Sequence, residues 1–355
     1  MPKLLRMQVA RAVAANLVVL SHCFAVQSKY VPGGWLPEFM HYAGHGVDIF
    51  FVLSGFVIVV SSARMRPVEF LWRRASRIYP TYWLVSLVLL ALIVAVPSVV
   101  NQRLPSSESL WRSFLLIPDS RMPLIEVGWS LTYEIYFYAV FALILAMRLP
   151  IHLGLLAWAA MLVVLRVMVG DVFASSSVAS AYASPLVAEF MMGALVGLAY
   201  RRGLSVGANA AGALGIAALG VLIILVAPAI NLGERLDLNV LRDLLFGVPA
   251  ALMLYWLGAR ERLGTAQPPR WLVLLGDASY STYLTHFIFL SVLGRVLHAA
   301  GISGVSGSLT ITILGVIGAN LTGVILFLTF ERPTLRLLHR IRTERSAERI
   351  APLQA

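Results

Sequence analysis

Long uncharged runs of apolar residues recur from one end of the chain to the other, with short polar segments between them. Ten of these runs are close to the roughly 20 residues that a helix needs to cross the hydrocarbon core of a bilayer. They lie at approximately 7–26, 45–62, 78–96, 128–147, 152–170, 183–200, 209–230, 239–258, 273–299 and 306–330. The pattern therefore predicts an all-α fold, a polytopic integral membrane protein with about ten transmembrane helices.

Composition and charge support this class and give it an orientation. The chain is 59% hydrophobic and 13% charged, whereas soluble domains are about 25% charged. The net charge of +11 could indicate a nucleic-acid partner. However, most of the 28 Lys and Arg residues fall in alternate loops and in the C-terminal tail, as the positive-inside rule describes. We therefore predict a lipid bilayer and no nucleic acid as the partner, with both termini in the cytoplasm.

The segments between the spans are too short to form a second globular domain. The longest, at about 97–127, lies on the outer side and is expected to be irregular because it is rich in proline and serine. We expect one transmembrane domain over residues 1–335 and a basic cytoplasmic tail over residues 336–355, which would lie on anionic lipid. We find no convincing internal repeat, which argues against a transporter built from inverted repeats.

A carboxylate near the start of the second span, Asp48, is the first candidate for chemistry. Ionisable groups inside spans are costly and normally have a partner and a function. If the first two spans are helices joined by an outer loop, His22 lies at a similar depth. A carboxylate bonded to one imidazole nitrogen fixes the tautomer, and the other nitrogen can then act as a general base. We predict that Asp48 orients His22 for catalysis.

The fourth span adds a third ionisable group, Glu134, about 9 Å from the outer end by helix rise. Three such groups at one depth indicate a catalytic pocket. Trp129, Tyr133 and Tyr136 flank this carboxylate. They could form an interfacial aromatic belt, or they could bind substrate by stacking on a sugar, and the sequence leaves both interpretations open.

Arginines define a second candidate region. Arg74 and Arg77 lie in the loop after the second span, where they could simply fix orientation. Guanidinium groups also match phosphate oxygens geometrically. Arg11 lies on the same helix face as His22, nearer the cytoplasmic end, because eleven residues come within about 20° of complete turns. Together the three arginines predict a site for a phosphorylated cofactor on the cytoplasmic side.

Two further residues have alternative interpretations. His286 lies within the ninth span, where it either packs as a polar residue or lines the cofactor path; Asp277 and Ser279 before it could cap the helix. The single cysteine, Cys23, excludes an internal disulfide and a Cys-based zinc site, and we predict no metal. It follows His22, but neighbours in a helix point about 100° apart, so packing is the preferred interpretation.

Six motifs in order along nearly the whole chain resemble those of the membrane-bound acyltransferase type 3 family, which modifies bacterial glycans. The fit is tightest to short members that O-acetylate exopolysaccharides. The motifs are Arg11-x10-His22, Gly46–Phe56, Arg74–Pro80, Trp129–Glu134, Ser279–His286 and Glu331-Arg332-Pro333.

This resemblance implies acyl-CoA, usually acetyl-CoA, as donor substrate, no bound cofactor, and a glycan hydroxyl as acceptor. It also implies the bacterial inner membrane, with proteins of polysaccharide assembly as candidate partners. His22 would take the proton from the attacking hydroxyl, and Glu134 would position the acceptor or tune the pocket. No protein nucleophile is required, so Ser54 is expected only to pack.

Two other classes of function fit the same pattern of spans and buried charges. One is a transporter or flippase of lipid-linked sugars, which would not need an arginine cluster on one side only. The other is a non-catalytic membrane partner of a polysaccharide assembly complex, which would tolerate the loss of His22.

Overall fold

The computed structural model describes residues 3–62, 65–96, 106–175, 184, 186–230, 239–264 and 267–350, and within these ranges the regular elements are all helical. The main helices are α1 Leu5–Tyr30, α2 Gly46–Ser62, α3 Pro67–Ala95, α4 Ser107–Leu115, α5 Trp129–Ala146, α6 Ile151–Ser175, α7 Leu186–Arg202, α8 Ala208–Val221, α9 Asn239–Arg262, α10 Arg270–Asp277, α11 Ser279–Ala299, α12 Gly304–Leu326 and α13 Arg332–Ile350. Short helical segments lie before α2, before α5, after α8 and after α12, at Phe39–Tyr42, Ala43–His45, Glu126–Gly128, Leu222–Val226, Ala227–Ile230 and Phe327–Glu331.

The described helices confirm the predicted class. Six stretches are long and apolar enough to cross a membrane: Leu5–Tyr30, Phe39–Ser62, Pro67–Ala95, Glu126–Ala146, Ala208–Ala229 and Gly304–Arg342. The other four predicted spans also coincide with helices, namely α6, α7, α9 and the pair α10–α11. The chain is an all-α, multi-pass membrane protein, while the count of ten spans stays a prediction.

The arginine segment is helical, although the sequence analysis placed it in a loop. Helix α3 begins at Pro67, ahead of Arg74 and Arg77, and continues through Pro80. Proline is favourable in the first turn of a helix because its missing N–H would have no partner there. Residues three apart lie on one helix face, so Arg74 and Arg77 are presented by a helix rather than by a flexible loop.

The segment expected to be irregular contains helix α4, and its residues 97–105 lie outside the described part. The side chain of Ser106 accepts the backbone N–H of Ser109 and so caps the helix start. Ser109 in turn donates to Asp119 over 2.8 Å, which helps to hold the pKa of that carboxyl below its usual value. At the other end, Tyr82 and Trp83 of α3 donate to the last carbonyl groups of α4. Composition alone could not reveal these tertiary contacts.

Glycines allow α2 to pack directly against α7. A Cβ added to Gly193 would lie 1.7 Å from the carbonyl oxygen of Val52, and one on Gly55 would lie 2.0 Å from that of Phe190. Small residues at a helix interface are typical of membrane proteins, where close backbone packing replaces the hydrophobic driving force. This contact fixes the position of α2, which carries residues of both cavities described below.

Helix α1 packs against α2, α10, α11 and α12. A Cβ on Gly276 would lie 2.0 Å from the carbonyl oxygen of Gln8, so α10 touches the α1 backbone. Asn16 and Asn320 exchange amide hydrogen bonds between α1 and α12, the shorter at 2.7 Å. Interhelical polar bonds of this kind stabilise packing inside a bilayer. They hold the α1 segment that carries Arg11 and His22.

Candidate active site

A cavity of about 110 Å³ lies between α1, α2, α3, α5 and α11, and we call it the arginine cavity. Its polar lining residues are Arg11, Ser54, Arg74, Arg77, Ser130, Glu134, Tyr138, Ser279, Tyr280 and Tyr283. The three arginines predicted to bind a phosphorylated donor therefore share one cavity. Glu134, which the sequence analysis placed with His22, lies among them.

Arg74 is held in a defined orientation. One terminal nitrogen donates to the hydroxyl oxygens of Ser61 and Ser62, at 2.8 and 2.9 Å. The guanidinium carbon stands 5.4 Å from the ring centre of Phe70 and 5.5 Å from that of Tyr138, within cation–π distance. Its Nε is buried and has no hydrogen-bond partner among the described residues. The Ser61 and Ser62 bonds and the two rings therefore fix the guanidinium of a residue that lines the cavity.

Glu134 is bound by hydroxyl groups. One carboxylate oxygen accepts Ser54 over 2.9 Å and also accepts the hydroxyl of Tyr138. Ser54 was expected only to pack, so its bond to a carboxylate corrects that interpretation. Ser54 lies six residues after Asp48 in α2, about 9 Å further along the axis. Glu134 therefore does not lie at the depth of Asp48, as the sequence analysis expected.

The start of α11 supports Arg11. The Nε of Arg11 donates to the hydroxyl of Ser279 over 3.0 Å. The carboxylates of Glu331 and Asp277 lie within electrostatic range of this arginine, and Asp277 also pairs with Lys3. Helix α11 has no side-chain cap, so the predicted capping role is wrong. Ser279 and Asp277 instead stabilise cationic side chains of the N-terminal segment.

A π-helical segment brings Glu331 to the same region. The segment Phe327–Glu331 continues α12, and Glu331 at its end is only 2% exposed. Its carboxylate accepts the hydroxyl of Ser281 over 2.5 Å, and Arg77 lies within electrostatic range. π-helical turns often occur at functional sites. Here the turn lets a residue of the last span counter the positive charge of the cavity.

His22 is paired with His286. Nδ1 of His286 faces only carbonyl oxygens, those of Tyr283 at 2.7 Å and Thr282 at 3.1 Å, so it must carry a proton. In the neutral ring its Nε2 is then an acceptor. Nδ1 of His22 lies 3.1 Å from that Nε2 and 3.0 Å from the carbonyl oxygen of Val18, and is therefore the donor. The lone pair of neutral His22 is left on Nε2, which has no hydrogen-bond partner among the described residues.

Asp48 has a different histidine partner from the one expected. Its Oδ2 lies 2.9 Å from Nδ1 of His45, three residues earlier in the chain. The ring of His45 stacks on Phe246, with centroids 3.5 Å apart and planes 8° from parallel. The predicted orientation of His22 by Asp48 is replaced by two separate pairs, His22 with His286 and His45 with Asp48.

Helix register explains the separation. A Cβ on Gly46 would lie 2.4 Å from the carbonyl oxygen of Ala14 and 3.2 Å from the side chain of Val18. Because α1 and α2 run in opposite directions, Asp48 lies further along α2 while His22 lies further along α1, away from that contact. Helix rise separates them by about 10 Å along the axes. The sequence could not fix this register because the intervening loop has no regular length.

The His45–Asp48 pair borders a second cavity of about 180 Å³, which we call the histidine–aspartate cavity. Its lining residues are His41, Tyr42, Gly44, His45, Val47, Asp48, Trp129 and Leu186. Val47 also lines the arginine cavity, so one side chain is common to both walls.

The three aromatic residues predicted as a belt or a substrate surface have different environments. Trp129 lines the histidine–aspartate cavity. Tyr133 makes edge-to-face contacts with Trp129 and Phe51, and the hydroxyl of Tyr136 accepts the indole N–H of Trp158 over 3.3 Å. Of the three, only Trp129 lines either of these two cavities.

Sequence reasoning missed some of these residues although a local signal was present. His45 precedes Asp48 by three residues and Tyr138 follows Glu134 by four, the two spacings at which helical side chains meet. Cys23, by contrast, was interpreted correctly as a packing residue: it is fully buried, and its sulfur lies 3.8 Å from the carbonyl oxygen of Ile311.

Comparison with known proteins identifies the class. A family model described as an acyltransferase domain, of the type 3 family, matches residues 4–328. The chain therefore belongs to this acyltransferase family, as the six motifs indicated, and it is an acyltransferase.

Two curated relatives support the assignment. The chain is 33% identical over 318 residues to the exopolysaccharide production protein ExoZ of Rhizobium meliloti (strain 1021), covering 82% of this chain and 89% of that protein. It is 28% identical over 333 residues to the acyltransferase MdmB of Streptomyces mycarofaciens, covering 83% and 82%. No solved structure matches the chain significantly.

Proposed function

We propose that this protein is a membrane O-acyltransferase that moves an acetyl group from cytoplasmic acyl-CoA to a hydroxyl of an extracytoplasmic or lipid-linked glycan such as exopolysaccharide. The acceptor class is supported by the relative named for exopolysaccharide production. The membrane placement agrees with the apolar helices. We place it in the bacterial inner membrane with both termini cytoplasmic, on the distribution of Lys and Arg.

The arginine cavity, of about 110 Å³, is the proposed site for a phosphate group of the donor rather than for the whole molecule. Acyl-CoA carries several phosphate groups, and Arg11, Arg74 and Arg77 all line this cavity. Bonds to Ser61 and Ser62 hold the Arg74 guanidinium in one orientation at the cavity wall. Guanidinium groups favour phosphate because their donors match its oxygens in pairs.

His22 is the proposed general base, and the observation that carries this proposal is its pairing with His286. With Nδ1 engaged, Nε2 of His22 can take the proton of an attacking hydroxyl. The hydroxyl oxygen forms a C–O bond to the thioester carbonyl carbon, the C–S bond breaks, and the proton passes from Nε2 to the departing thiolate. The products are an ester and free CoA. A positioned base of this kind typically contributes roughly 10²–10⁴-fold to the rate.

Two other predicted roles change under this proposal. Glu134 holds Ser54 and Tyr138 beside Arg74, so we assign it to the organisation of the donor cavity. Asp48 belongs to the neighbouring cavity with His45. The predicted catalytic set is thus divided: His22 is the proposed base, Glu134 belongs to the arginine cavity, and Asp48 belongs to the histidine–aspartate cavity.

The test is transfer of radiolabelled acetyl groups from acetyl-CoA by purified protein in detergent. The acceptor probe is a glycan and glycolipid extract from cells that lack the gene. We expect His22→Ala to abolish transfer, while His152→Ala, an exposed histidine on α6, retains wild-type activity. Near-normal transfer by folded His22→Ala would remove His22 from the mechanism, and failure of the wild type to label any fraction would overturn the proposed function.

A further inference from the structure

The histidine–aspartate cavity differs chemically from the arginine cavity. Neither Lys nor Arg is among its lining residues in the described part of the chain. It offers a carboxylate, two imidazoles and an indole, supplied by Asp48, His41, His45 and Trp129. A polyanionic ligand would find neither lysine nor arginine here, whereas a neutral polyol would find hydrogen-bonding groups and a flat apolar surface.

The polar wall of this cavity is preorganised. Asp48 is 4% exposed, and its Oδ2 accepts Nδ1–H of His45 over 2.9 Å. Stacking on Phe246 at 3.5 Å fixes the plane of the His45 ring. With Nδ1–H engaged, Nε2 of neutral His45 is an acceptor for a hydroxyl. A rigid ring loses little conformational entropy when it binds a ligand, which favours affinity.

The cavity also lies close to the proposed base. The hydroxyl of Ser21, the residue before His22, donates to the carbonyl oxygen of His41 over 2.7 Å. His41 lines the cavity and lies within electrostatic range of His22. Val47 forms part of the wall of both cavities. A ligand held here would therefore be separated from the donor cavity by a single layer of side chains.

We infer that the histidine–aspartate cavity is the acceptor subsite and binds an uncharged sugar ring, with Trp129 against the apolar face of the ring and His45, held by Asp48, on a hydroxyl. The inference rests on the proposed function and adds to it a binding site and a ligand class. The cavity volume, about 180 Å³, corresponds to about six waters at roughly 30 Å³ each, which leaves room for a sugar ring.

The experiment measures half-saturating concentrations for two substrates separately. Acetyl-CoA is titrated at fixed acceptor extract, and the extract from gene-deleted cells is titrated at fixed acetyl-CoA. We expect Trp129→Leu and His45→Leu each to raise the half-saturating extract concentration by roughly tenfold, the effect of losing one hydrogen bond or one aromatic contact. The value for acetyl-CoA should stay within about twofold, and Trp129→Phe should recover most of the loss because it keeps a ring.

Trp35→Leu is the matched control, because Trp35 is 66% exposed on the connection between α1 and α2 and lines neither cavity. Unchanged half-saturation by the extract in both folded cavity variants would overturn the acceptor subsite. Equal weakening of acetyl-CoA and extract would also overturn it, since that result describes a general structural effect. Binding of acetyl-CoA reports folding when a variant has no turnover. Failure of the proposed function is a separate result, since wild-type protein would then transfer no acetyl group.

Discussion

Replacing His286 tests the most specific geometric argument for the base. In the His286→Leu variant, Nδ1 of His22 keeps the Val18 carbonyl but loses the Nε2 acceptor 3.1 Å away. In the transition state His22 becomes an imidazolium ion, so the lost bond would have strengthened there from about 0.5–1.5 to about 1.5–3 kcal/mol, a gain of about 1–1.5 kcal/mol. Since 1.36 kcal/mol corresponds to a tenfold change in rate, kcat should fall roughly 5- to 13-fold.

The companion variant, His286→Gln, distinguishes a role of residue 286 in bonding to His22 from a role in packing alone. Its amide oxygen lies the same number of bonds from Cα as Nε2 of histidine, so it can accept the proton of Nδ1. We expect kcat within about twofold of wild type for Gln, and for both variants an unchanged KM for acetyl-CoA, because His286 lines neither cavity. Losing a bond that strengthens in the transition state lowers kcat without changing KM.

The assay is steady-state transfer of labelled acetyl groups, with thermal unfolding of each purified variant as the measure of stability. Leucine is close to histidine in size and suits a fully buried site in a membrane span. A purely structural role would make activity follow thermal stability, with Gln no better than Leu. Equal kcat for Leu and wild type would refute the argument that the bond to His286 assists His22 as the base.

The remaining predictions concern the donor site and the topology. Arg74→Lys should weaken binding of acetyl-CoA about tenfold in calorimetric titration because lysine lacks the paired donors; the exposed neighbour variant Arg73→Lys should bind normally, and equal dissociation constants would exclude Arg74. In a Cys23→Ala background, Ser107→Cys should react with an impermeant thiol reagent in intact cells and Ser205→Cys only after permeabilisation. The reverse labelling pattern would refute cytoplasmic termini.

The sequence predicted the fold because a bilayer imposes one strong rule, that every backbone polar group in the hydrocarbon must be satisfied within the segment. Hydrophobic length therefore marked the helices reliably. It could not predict helix α4, because the last carbonyl groups of that helix accept hydrogen bonds from Tyr82 and Trp83 of another helix, α3. It also misplaced Arg74, because a charged segment resembles a loop whether or not the helix has already begun.

The sequence predicted several of the residues that line the cavities, but not which side chains contact each other. The arginines were grouped correctly since all three came from segments on one predicted side of the membrane. The partner of His22 was wrong because depth was counted from span ends, and the contact at Gly46 shifts the register of α1 against α2. His286, for which packing and the cofactor path were left open, is the residue that contacts His22. The register of one helix against another depends on the volumes of the side chains where the helices cross. The periodicity of apolar residues along the sequence does not contain this information.

Direct transfer between the two proposed subsites would need no protein nucleophile. Cys23 is fully buried against α12 and the hydroxyl of Ser54 is bonded to Glu134, so neither is placed as a nucleophile. If a phosphate group of the thioester donor occupies the arginine cavity and a neutral sugar the histidine–aspartate cavity, opposite chemistry keeps each substrate in its own site. Val47 forms part of both walls, while His22, the proposed base, lines neither cavity. Holding both reactants at once removes much of the entropic cost of their encounter, which is the part of catalysis that this arrangement of helices supplies.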